Sequence, residues 1–184
     1  MNELAEDLLL ETQERMKKSI QAIVKDFNNI RTGRANPALL DHLMIDYYGV
    51  STPIKQISAI NVLEGTQLYI KPFDRSVLKN IEKAIYSSDL GLTPNNDGIG
   101  IRLILPVLTQ ERRKTLVKEV EKLEEGGKVA LRNIRRDANE EIKILELTED
   151  DEKGYLQDIQ ELTNKYIAEL EIEKDKKSEE LLMR

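Results

Sequence analysis

A chain of 184 residues can form one ordinary domain or two small ones, and 34% charged with only 4% aromatic residues suits long solvated helices. With no cysteine and a single histidine, His42, a disulfide framework and any thiolate-bound metal are excluded. The net charge of -6 is unlike that of a protein basic throughout for nucleic-acid binding, so any such contact must rest on a local patch.

Asn2 to Ile30 is predicted as one helix, because Met16, Ile20, Ile23, Phe27 and Ile30 recur at spacings of four, three, four and three. It ends at Arg31-Thr32-Gly33-Arg34-Ala35-Asn36-Pro37, where Gly33 permits a left-handed cap and Pro37 cannot continue a helix. The texture then changes. Leu43, Ile45 and Tyr47 alternate with Met44, Asp46 and Tyr48 as in a strand. Ile57 to Leu63 is a second strand, and Leu68-Tyr69-Ile70 belongs to a third that stops at Pro72. Asp74 can cap a helix running to Tyr86, with Val77, Leu78, Ile81 and Ile85 on its apolar side. Asn95-Asn96-Asp97-Gly98 is a turn, and Ile99, Ile101, Leu103 and Leu105 alternate in a last strand.

Thr109 is the predicted N-cap of a helix reaching about Leu145, roughly 55 Å at 1.5 Å per residue. Its seam reads Leu116, Val120, Leu123, Gly127, Ala130, Ile134 and Ala138. Thr148, with Glu149, Asp150, Asp151 and Glu152 behind it, starts a third helix bearing Leu156, Ile159, Leu162, Tyr166 and Leu170 on one side.

Three helices with matching stripes need one another to bury them. The chain should therefore be an α+β protein of two domains. Residues 1–30 and 106–184 form a discontinuous three-helix bundle, and 31–105 an inserted α+β domain. The two crossings, at Arg31, Thr32, Gly33 and Arg34 and at Leu105 and Pro106, can act as a hinge. Residues 1–10 lack the basic start of a signal peptide, and no apolar run approaches the ~20 residues needed to span a bilayer. A cytoplasmic protein without membrane attachment is expected.

From Thr148 to Arg184 there are 12 acids and 6 bases, whereas Pro106 to Leu147 holds 10 bases and 9 acids. Within that second stretch Lys128, Arg135 and Arg136 all fall within about 60° of Arg132 on a helix, joined by Asn139, with seam residues nearly opposite. Guanidinium forks match phosphate oxygens and hold their charge when desolvated, so this stripe can grip a phosphate backbone. A solvated face whose arginines pair with Glu124, Glu125 or Asp137 is the alternative. Arg31 and Arg34 can hold RNA, or satisfy the carbonyls at the end of the first helix. Arg112, Arg113 and Lys114 stand at a helix start, where the dipole disfavours cations, and call for an anion or an acidic neighbour. No phosphate loop, EF-hand spacing or activated nucleophile is present, so neither enzyme activity nor a cofactor or metal is expected.

Several stretches together resemble one family. They are Ile30-Arg31-Thr32-Gly33-Arg34-Ala35, Tyr47-Tyr48-Gly49, Phe73-Asp74-Arg75-Ser76, Ser88-Asp89-Leu90-Gly91-Leu92, Leu108-Thr109-Gln110-Glu111-Arg112-Arg113-Lys114 and Arg132-Asn133-Ile134-Arg135-Arg136-Asp137-Ala138-Asn139. In this order, and at this total length, they are similar to the ribosome recycling factors. The resemblance implies an L-shaped monomer, a long three-helix bundle joined by a flexible hinge to a β/α/β sandwich. It implies a factor that binds the post-termination ribosome and, with elongation factor G and GTP, promotes separation of the subunits. Arg132, Lys128, Arg135 and Arg136 would then contact large-subunit ribosomal RNA, with Arg31 beside them. A helical scaffold binding protein partners through its seams is the competing reading.

Overall fold

The computed structural model describes residues 2–182. In chain order, α1 (Glu3–Asn29) precedes strands β1 (Met44–Tyr47) and β2 (Val50–Pro53), the single turn α2 (Ile54–Ile57), β3 (Ser58–Leu63) and β4 (Gln67–Pro72). Then come α3 (Leu78–Ser87), β5 (Pro94–Asn96), β6 (Ile101–Ile104), α4 (Gln110–Ile144) and α5 (Glu149–Leu182). The chain divides into two compact units, Met1–Thr32 with Thr109–Arg184, and Gly33–Leu108.

In the first unit α1, α4 and α5 each pack on the other two. Asn2 caps α1 by accepting from the Ala5 N–H, and Thr109 caps α4 by accepting from Arg112. The Thr148 hydroxyl accepts from Asp151 N–H at 3.3 Å, opening α5. Met16, Ile20 and Phe27 of α1 are buried, as are Leu116, Val120, Leu131, Ile134, Ala138 and Ile142 of α4. The α4 seam differs from the predicted one: Leu131 is fully buried, while Leu123 and Ala130 are only partly so. On α5 the buried row is Tyr155, Ile159, Thr163, Tyr166, Leu170, Lys177 and Leu181, with Leu156 and Leu162 at its margin. Two partner helices, rather than one, widen the buried arc and rotate its centre by about a residue. Tyr155 ties the ends of α1 and α5: its hydroxyl accepts from Asn2 N–H at 3.2 Å and donates to Glu6 at 3.1 Å.

The second unit holds a hairpin, β1-β2, and an antiparallel sheet in the order β3-β4-β6-β5. Tyr48 and Gly49, at φ 52° and 82°, form the two-residue turn of the hairpin. The strand β2 and the single turn α2 were not predicted: Pro53 and a length of four residues each hide their periodicity. Leu68, Ile70, Ile101 and Leu103 of the sheet meet Leu78, Ile81 and Ile85 of α3 in one core with Leu40 and Ile45. Asp74 caps a 3-10 turn, Arg75–Val77, which leads into α3. The predicted turn at Asn95-Asn96-Asp97-Gly98 is shorter, because Asn95 and Asn96 pair with Arg102 and Ile101. Gly33 has a left-handed φ of 78° but does not cap α1, which ends with an extended Ile30.

Candidate nucleic-acid interface

The arginine-rich stretch lies on α4, whose other sides face α1 and α5. Arg132 and Arg136 are exposed on the side away from the buried row Leu131, Ile134 and Ala138. Arg132 reaches Glu125 at 3.5 Å, with 45% and 63% of the two side chains exposed. A pair this long and this wet is worth only ~0–1 kcal/mol and can be exchanged for a better anion. Arg136 makes no ion pair or hydrogen bond through its side chain among the described residues.

Asp137, which dilutes the stripe in the sequence, is turned aside. Its carboxylate accepts from Arg15 of α1 at 3.2 Å. The acid is thus neutralised by a neighbouring helix instead of by Arg135 or Arg136. Arg135 is half-buried and donates to Gln160 of α5 at 3.3 Å. Its fork is therefore positioned by α5 at the edge of the exposed face. Arg15 was missed by the sequence reading, since nothing in α1 signals which residue of α4 it meets.

Two predicted members of the stripe belong elsewhere. Lys128 turns toward α5, with Glu171 at 3.0 Å and Glu124 at 3.8 Å. The hydrogen bond to Glu171 is the main reason its pKa is held above the ordinary lysine value, so the ammonium keeps its proton more firmly. Glu124, with 13% of its side chain exposed, also meets Lys174 at 3.9 Å. Lys128 is therefore part of an α4-α5 charge cluster. Asn139 likewise has its carbonyl oxygen buried rather than presented to solvent. The packing of the bundle explains both: a helix with two neighbours leaves a narrower free arc than the sector within about 60° either side of Arg132 drawn on a single helix.

The helix-start cations also divide. Arg113 donates to the Leu181 carbonyl at 3.2 Å, placing a cation at the negative C-terminal end of α5. Arg112 is exposed. Arg31 is exposed just beyond α1, two residues after the last helical one, and makes no ion pair among the described residues. Of the residues predicted as hinge, Arg31 and Thr32 lie in the first unit and Gly33, Arg34, Leu105 and Pro106 in the second. Leu105 is pinned there: it is 3% exposed, and its N–H donates to the Thr66 carbonyl at 2.9 Å. No group of three or more histidine and acidic side chains suited to a metal occurs among the described residues. Among them, too, no helix is long and apolar enough to cross a membrane.

The family model described as ribosome recycling factor matches residues 23–182. A ribosome-recycling factor of Acholeplasma laidlawii (strain PG-8A) is 59% identical over 182 residues, covering 99% of each chain. One of Thermosynechococcus vestitus is 54% identical over 167 residues, covering 89% of this chain and 92% of its own. The solution structure of a ribosome recycling factor superposes with a TM-score of 0.85 at 39% identity, covering 99% of both chains. A second solved chain, at TM-score 0.63 and 42% identity over 97% of this chain, comes from models of the T. thermophilus ribosome recycling factor and E. coli elongation factor G bound to the E. coli post-termination complex. With the helical unit, the inserted sheet unit and the arginine face already in place, these matches mean that the chain belongs to the ribosome recycling factor family.

Proposed function

We propose that this protein binds the post-termination ribosome through the Arg132–Arg136 face of α4 and, with elongation factor G and GTP, promotes separation of the subunits. The observation that carries the site is the pairing of Asp137 with Arg15 at 3.2 Å, which leaves Arg132 and Arg136 as exposed cations on the outer side of the helix. Cations fixed on a rigid helix suit a phosphate backbone, because little further ordering is needed on binding. A local basic face on an acidic chain also orients the approach to RNA. Arg135 supports the edge of that face and Arg31 adds a second contact near the unit boundary. Lys128, held by Glu171, contributes little directly.

The second unit moves relative to the first during the reaction, pivoting where the chain passes between units at Thr32-Gly33 and Leu108-Thr109. The protein acts in the cytoplasm as a monomer and supplies no chemical step of its own.

The test is a subunit-splitting assay with purified ribosomes, elongation factor G and GTP, alongside binding to isolated large subunits over a range of salt. Arg132→Ala and Arg136→Ala should each weaken binding and lower the slope of log affinity against log salt by about 0.7–0.9 per lost phosphate contact. Unchanged binding, slope and splitting in both variants would refute the site and favour a scaffold that works through protein contacts.

A further inference from the structure

The four-stranded sheet has one face on the core and one open. Its open face carries a continuous row across all four strands. Asn61 of β3 pairs with Tyr69 of β4, Tyr69 with Arg102 of β6, and Arg102 with Asn95 of β5. Because side chains directly opposite share a face, these four project together. Lys71 and Gln67 flank Tyr69 on the same face of β4, and Asn61, Lys71, Asn95 and Arg102 are exposed.

The ring of Tyr69 is held in place. It reaches across to the residue before β6, where a side chain at Gly100 would stand 2.6 Å from its Cζ and 2.7 Å from its hydroxyl. Only glycine leaves room for it there. The hydroxyl donates to Asp97 at 2.9 Å, and the Arg102 guanidinium lies 6.0 Å from the ring centre. The other Asp97 oxygen accepts from the Ile99 and Gly100 N–H groups at 2.9 and 2.8 Å. The acid nearest the row is thereby saturated with donors, while two cations, Arg102 and Lys71, stand free of ion pairs among the described residues.

A fixed aromatic ring flanked by cations and amide side chains on an open antiparallel sheet matches what unstacked bases need. The ring supplies a stacking surface, Arg and Lys neutralise phosphate, and Asn and Gln can read base edges. Paired RNA would not fit so well, since its bases present no free faces. We propose that this sheet face is a contact site for single-stranded RNA, with Tyr69 as the stacking residue and Arg102 and Lys71 as the phosphate contacts. It is separate from the α4 face and gives the second unit an RNA contact of its own.

The experiment is a nuclear magnetic resonance titration of the full chain with heptauridylate and with heptaadenylate, read residue by residue. The backbone signals of Asn61, Tyr69, Asn95 and Arg102 should shift together and saturably. Tyr69→Val should weaken this binding about tenfold or more, within the range known for loss of one base–aromatic stack. Tyr69→Phe, which keeps the ring, should bind within about twofold of the parent. Arg102→Gln should weaken binding and flatten its salt dependence, with the dispersed spectrum of the second unit serving as the control for folding. Shifts confined to Arg132, Arg136 and their neighbours, or equal binding by Tyr69→Val and the parent, would overturn the proposal while leaving the α4 reading intact. Unchanged ribosome binding and splitting by Arg132→Ala and Arg136→Ala, with the sheet shifts preserved, would do the reverse.

Discussion

Two adjacent glycines in the middle of α4 should respond in opposite ways to the same substitution. In a helix interior glycine is ~1 kcal/mol less favourable than alanine. Around Gly126 a new Cβ meets nothing within 4 Å, so Gly126→Ala should stabilise the bundle by about 1 kcal/mol. At Gly127 the same atom would stand 2.8 Å from Leu170 Cδ2 and 3.3 Å from Ile23 Cγ1. Leu170 is fully buried, so it can yield only by disturbing its own neighbours. Overpacking of this kind costs ~1–3 kcal/mol, which cancels or exceeds the gain in helix propensity. The two variants should therefore differ by about 1–3 kcal/mol, or several degrees in the unfolding midpoint for a bundle of this size. Urea unfolding followed by far-UV circular dichroism suits a chain without tryptophan. Trimming Leu170 to Ala should cost less in the Gly127→Ala background than in the parent, a coupling that a double-mutant cycle detects. If Gly127→Ala were as stabilising as Gly126→Ala, the close approach of the three helices at this level would be refuted.

Acid should loosen the second unit through Asp97. The Gly100 N–H, then Ile99 and the Tyr69 hydroxyl, hold its carboxyl below the ordinary 3.8. A depressed folded-state value means its stabilisation is complete above 3.8 and is lost as pH falls through the lower one. Asp97→Asn should unfold more readily at neutral pH, and unfolding midpoints measured from neutral to strongly acidic pH should show the gap closing below about 4. At Lys177 burial pushes the ammonium below its ordinary 10.5, against the pull of Glu180. Lys177→Met should therefore stabilise the bundle at neutral pH, with an advantage in chemical denaturation that shrinks as pH rises toward 10.5. Glu124→Ala removes the acid between Lys128 and Lys174 and should cost about 1 kcal/mol, since Glu171 and Asp175 still hold the two lysines. Arg15→Ala should cost stability no more than ~0.5 kcal/mol. It should nonetheless weaken binding to large subunits, because Asp137 is released beside Arg136.

The sequence by itself determined the three long helices, most of the strands and several of the caps. Thr109 and Thr148 each accept from a first-turn N–H as their residue types require, and the alternation at Ile101, Leu103 and Leu105 survives as a buried row. These features are local: a cap or a period involves residues a few positions apart, so their spacing along the chain is their geometry. The orientation of the arginine stretch was legible for the same reason, as it needs only the twist of one helix. Tertiary structure alone decided which of those cations are free. Lys128 joined Glu171, 43 positions away, and Asp137 joined Arg15, 122 positions away. It also placed Tyr69 over Gly100, across a strand pairing that the period of either strand cannot specify. Partners so distant in sequence meet only because packing the seams fixes which faces of the helices and strands confront each other, and that choice is made by the whole core rather than by any segment of it.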